Sequence, residues 1–162
     1  MQYGISNLSI IPIRVEGSDQ SEMVNQILFG EHFKVLDIRK KWSRIRLAHD
    51  SYEGWICNKQ WLEISEEDYK QLDKDVSTIT TDILDIITKE HHQPIVIGSI
   101  LPFYKSGHAL INNEMYQFDG YTTSSPAVVS TGKFKLGSSN GTVGGIASLR
   151  IDETNNNGDS ID

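Results

Sequence analysis

The chain has 162 residues, 38% of them hydrophobic, and a formal net charge of −7. That length suits one ordinary domain or two small ones, and the modest apolar content favours two small cores joined by polar connections. The acidic balance argues against a nucleic-acid ligand, whose phosphates require clustered Lys and Arg. No apolar run approaches a membrane span.

Residues Asn7 to Arg14 (NLSIIPIR) read as a first strand, with Pro12 expected at a sheet edge because it lacks a donor. Val15 to Gln20 is a polar loop carrying Glu16 and Asp19; Ser21 to Phe29 has the pattern of an amphipathic helix, although the Gly30 that follows suits an extended strand. From Leu28 to Trp61, apolar runs of five to seven residues alternate with turn clusters at Gly30-Glu31, Arg39-Lys40-Lys41, His49-Asp50-Ser51 and Gly54. Short alternating strands with breakers every eight to twelve residues predict a small β-barrel. Arg39, Lys40 and Lys41, with Arg44 and Arg46, are expected at a hairpin tip and on a solvated strand face.

Ser65 followed by Glu66, Glu67 and Asp68 is a helix start, an N-cap residue with acids in the first turn, so residues 65–75 are expected to form a linking helix. Val76 to Thr88 alternates β-branched and polar residues, which suits a strand, although Ile83, Ile86 and Ile87 also fit a helix; His91, His92, Gln93 and Pro94 break it. Ser99-Ile100-Leu101-Pro102-Phe103-Tyr104 echoes Ser9 to Arg14 and falls where a second barrel should begin. His108 to Ile111 and Met115 to Phe118 flank Asn112-Asn113, a pair that tolerates left-handed turn conformations. Ala127 to Val129 and Phe134 to Leu136 are expected to be the last short strands. Residues 137–162 are rich in Gly, Ser and Asn and poor in core formers, with Val143 to Ile151 a candidate edge strand that could pair two copies into a homodimer. The expected fold class is mostly β: two small barrels in tandem (residues 1–64 and 76–136) joined by a short helix, with a polar C-terminal tail.

The succession SEMVNQILFGEHFKVL, KKWSRIRL and DSYEGWICNKQW, over residues 8–64, resembles a bacterial SH3 domain. It is most similar to the first SH3b domain of NlpC/P60-type cysteine peptidases, with an L-x-G-E turn, a W-x-x-I strand and a terminal G-W-I strand in order. The nucleophile of that family lies in a D-C-S-G motif, which this sequence lacks. The single cysteine, Cys57, falls inside an expected strand, with no helix N-terminus to lower its pKa, and reads as structural. No Ser/His/Asp elbow, phosphate loop or cysteine-pair metal motif is present. No cofactor is expected, and five scattered histidines do not suggest a metal.

The resemblance implies a recognition role. In cytoplasmic relatives the first SH3b domain walls one side of the active site. A glutamate before the L-x-G-E turn and a tyrosine before the G-W strand hold the free amine of a murein peptide. Glu22 and Tyr52 match those positions. Trp55 and the loop residue Asp19 complete the expected ligand-binding set. The expected partners are a murein stem peptide or a catalytic NlpC/P60 domain on another chain, with an SH3-groove adaptor as the rival reading. The N-terminus shows no basic region followed by an apolar core, so a cytoplasmic protein is expected.

Overall fold

Seven antiparallel strands curl into one sheet in the computed structural model, which describes residues 1–124 and the strand segments Phe134–Lys135 and Thr142–Val143. They are β1 (Gln2–Ile5), β2 (Ile10–Arg14), β3 (Met23–Leu28), β4 (His32–Ile38), β5 (Trp42–Leu47), β6 (Glu53–Cys57) and β7 (Leu62–Ile64), in the order β3-β2-β6-β5-β4-β1-β7. Alternation decides which face is core. Ser43, Ile45 and Leu47 point inward from β5, while Arg44 and Arg46 point out. Ile11, Ile13, Ile27, Phe33, Val35, Ile45, Leu47 and Ile56 fill the interior. Bulges at Val24 of β3 and Leu36 of β4 each put two residues against one, which bends the strands and tightens the curl.

Helix α1 (Glu66–Lys74) follows with Ser65 as its N-cap; the Ser65 Oγ accepts from the Asp68 N–H at 3.0 Å. Its buried face consists of Tyr69 and Leu72, one turn apart. Beyond it lie β8 (Thr78–Thr80), β9 (Leu84–Thr88), β10 (His92–Val96), β11 (Ile100–Leu101), β12 (His108–Ile111), β13 (Glu114–Phe118) and β14 (Thr122–Ser124). They form a four-stranded sheet, β10-β9-β13-β12, and a three-stranded one, β11-β8-β14. The fold class is mostly β, as expected. In a separate unit, β15 (Phe134–Lys135) pairs with β16 (Thr142–Val143). The expected strands at Ala127 to Val129 and most of Val143 to Ile151 lie outside the described residues.

Several local expectations change. Val76 to Thr88 is two strands rather than one, because Asp82-Ile83 interrupts it and β8 and β9 enter different sheets. His92 to Pro94 belongs to β10 instead of breaking a strand. Pro94 fits there because β10 is an edge and its missing N–H costs no ladder bond. Pro12 is on an interior strand, not an edge, and is tolerated because β2 meets β6 only at Arg14–Trp55. The echo of the first strand is not the start of the second assembly, since β8, β9 and β10 precede β11.

The second core is shared. Ile87, Ile95, Leu101, Ala109, Ile111, Tyr116 and Phe118 pack with Tyr3, Ile5, Phe29 and Ile64 of the first sheet and with Tyr69 and Leu72 of α1. The L-x-G-E turn is the seam. The Phe29 ring meets Tyr116 edge-on at 5.5 Å, and its carbonyl accepts from the Ile100 N–H at 2.8 Å. Gly30 has φ +78°, and a Cβ there would run into the Ile100 carbonyl. Only glycine satisfies both the left-handed backbone and this close approach.

Candidate functional site

The outer face of the first sheet carries the polar and aromatic residues that its core face excludes. Cross-strand partners share a face, so the row Met23–Arg14–Trp55–Arg44–Asp37 runs over five neighbouring strands. The next pairs on this face are Trp42–Cys57 and Arg46–Glu53. Glu53 takes hydrogen bonds from Arg46 (2.8 Å to Nε) and Arg44 (2.8 Å), and these guanidinium groups hold its carboxyl below the usual range.

Two loops flank this face. Residues 15–22 close on themselves: the Val15 N–H donates to the Glu22 carbonyl at 3.1 Å, and Arg14 donates to the Ser21 carbonyl at 2.6 Å. Gly17 lies against Trp42, so the loop folds back over the sheet. Opposite it is the β4–β5 tip, Arg39–Lys41. Asn58 pins that tip: its side chain donates to the Arg39 carbonyl (2.8 Å), its N–H donates to the Lys41 carbonyl (3.0 Å), and its Oδ1 accepts from the Ser43 hydroxyl (2.8 Å).

Between the loops lies Trp55, only 8% exposed yet outside both apolar cores. Its ring is covered by the Arg39 guanidinium, 4.1 Å from the ring centroid. Glu22 and Asp19 are exposed, Glu22 immediately before β3 and Asp19 in the loop. Tyr52 is 37% exposed, at the turn into β6; its backbone is held by Asp50 Oδ1 (2.8 Å) and by the Leu47 N–H (2.9 Å). Glu22 and Asp19 therefore belong to the loop wall, Tyr52 stands just before the start of β6, and Trp55 forms a floor already covered by an arginine. Arg39 is at the hairpin tip and exposed, as expected, but its contact with Trp55 was not foreseen. Period-two register along β5 and β6, which sets Arg44 beside Trp55, is the signal that marks this face as cationic and aromatic.

Other polar groups lie nearer the seam. Glu31 accepts from the Leu28 N–H at 2.6 Å and faces His49 at 3.5 Å; burial raises its carboxyl above the usual range. His32 is buried against the Tyr69 ring (5.1 Å between centroids), and desolvation pushes it down to about 4. Cys57 is half-buried on β6, opposite Trp42. Among the described residues no group of three or more His, Cys, Asp or Glu is placed to hold a metal ion.

This architecture is that of an SH3-type β module. Residues 13–60 match the family model of the bacterial dipeptidyl-peptidase SH3 domain. An NlpC/P60 family protein from Bacillus cereus ATCC 10987 has a similar solved structure, at TM-score 0.60 and 12% identity, covering 76% of this chain and 57% of that one. NlpC2 from Trichomonas vaginalis aligns at TM-score 0.34 and 11% identity, over 82% of this chain and 52% of that one. The chain thus spans little more than half the length of these two structures. No curated protein matches the sequence. The matched stretch, residues 13–60, is the SH3 domain, and the likeness to the Bacillus cereus structure is one of fold.

Proposed function

We propose that the chain is the recognition part of an NlpC/P60-like murein-peptide hydrolase, binding a peptidoglycan stem peptide and setting its free N-terminus for a catalytic NlpC/P60 domain. The observation that carries this reading is the match of residues 13–60 to a dipeptidyl-peptidase SH3 domain, in a chain that keeps Glu22 and Tyr52 at the surface. A carboxylate and a phenol oxygen suit an ammonium group, since both accept charge-assisted hydrogen bonds. Asp19, on the same loop, adds negative potential on that side.

The test is titration with L-Ala-γ-D-Glu-diaminopimelate followed by amide chemical shifts. Shifts should cluster at residues 15–22 and at Tyr52. Glu22→Ala should weaken binding roughly tenfold or more, the cost of one charge-assisted hydrogen bond. No shifts at millimolar peptide would sink the reading. An adaptor docking a partner segment on an open aromatic floor fits less well, because the Trp55 ring is already covered.

A further inference from the structure

Arg39 lies at the exposed β4–β5 tip with its guanidinium turned onto Trp55. Its backbone is fixed by Asn58 and by its own N–H donating to the Trp42 carbonyl at 2.7 Å. Its guanidinium carbon lies over Trp55, 4.1 Å from the ring centroid, and its Nε faces Asp37 at 3.4 Å. Both terminal nitrogens are left without a hydrogen-bond partner among the described residues. A guanidinium immobilised on an aromatic ring, with its terminal fork unpaired, has already lost much of the side-chain entropy that usually weakens an exposed ion pair. Such a fork matches a carboxylate in bidentate geometry.

Charge is divided across the same face. The loop wall carries Glu16, Asp19 and Glu22, whereas the opposite side carries Arg39, Lys40 and Lys41 at the tip. Trp55, the ring beneath the Arg39 guanidinium, lies two strands from β3, which Glu22 precedes, so with adjacent strands about 4.8 Å apart it is about 10 Å from the start of β3. Three extended residues span about 10 Å.

We propose that Arg39 is a carboxylate anchor, so that the ligand is a short zwitterionic peptide: its amine faces the Glu22 wall and a free carboxylate pairs with Arg39. The amine half of this statement rests on the proposed function; the carboxylate half rests on the Arg39–Trp55 stack alone.

The experiment measures dissociation constants by calorimetry for L-Ala-γ-D-Glu-diaminopimelate, its N-acetylated form and its fully amidated form, against the wild-type chain, Arg39→Gln and Arg39→Lys. Arg39 is at the surface, so the folded state of each variant can be checked by its far-UV spectrum. The free-acid peptide should bind Arg39→Gln at least tenfold more weakly. Arg39→Lys should not restore binding, because an ammonium lacks the fork. The amidated peptide should bind weakly and equally to all three proteins. Equal affinity of the free acid for wild type and Arg39→Gln would overturn the proposal while leaving the amine reading intact. Undiminished binding of the N-acetylated peptide, still lost in Arg39→Gln, would overturn the amine reading and keep this one. No binding of any peptide at millimolar concentration would overturn both.

Discussion

His32 is the residue at which a buried ionisable group most clearly sets a solution property. It opens β4, edge-on to Tyr69 of α1, with Asp73 and His49 nearby and Nε2 without a hydrogen-bond partner among the described residues. On acidification the unfolded chain takes up a proton near pH 6.5, whereas the folded chain does so only near 4. Stability from this residue is therefore whole above about pH 6.5 and lost progressively as pH falls towards 4. A difference of that size corresponds to about 3 kcal/mol. Glu31 acts in the opposite sense, since its raised carboxyl pKa makes protonation favour the folded state. Chemical denaturation between pH 7 and 4 should show the loss, and His32→Phe should flatten it. An unchanged acid limb in that variant would place the effect elsewhere.

Among the elements, two turns carry more than their local geometry. The Asn112-Asn113 turn was legible because both residues take φ near +50 to +65° (51° and 64°), which asparagine accepts. The L-x-G-E turn was legible as a turn, but not as the contact between two sheets. Gly30→Ala forces a left-handed alanine and a clash with the Ile100 carbonyl, and should cost about 2–4 kcal/mol in denaturant titration. The β4–β5 tip depends on Asn58. Asn58→Ala removes its two side-chain hydrogen bonds, to the Arg39 carbonyl and from the Ser43 hydroxyl, so it should broaden the amide resonances of residues 39–42 and cost about 1–3 kcal/mol. Sharp, unshifted tip resonances in that variant would show that Arg39 is held by Trp55 alone.

At the scale of the whole molecule, the second core draws side chains from the first sheet, the helix and the later strands together. Residues 1–124 form a single unit. They should accordingly unfold in one transition. Phe29→Ala removes a fully buried ring at the seam and should cost about 3–5 kcal/mol, lowering the midpoint of that single transition. Two resolved transitions in the wild-type chain would mean that the sheets hold independently of their shared core.

Period-two alternation, breaker spacing and the Ser65 helix start were enough to read the mostly-β fold class, the helix and the Asn-Asn hairpin, because each depends on neighbours a few residues apart. Ser65 and the acids after it mark the helix start by local hydrogen bonding alone. The strand order, the interior position of Pro12 and the split of Val76 to Thr88 were not legible, since each depends on which distant strand lies alongside. The same holds for the candidate site. Glu22, Asp19, Tyr52 and Trp55 could be named from motif and loop position. Only the tertiary structure puts Arg39 over Trp55, because that contact joins a hairpin tip to a strand sixteen positions away and is made by side chains whose direction no local pattern encodes.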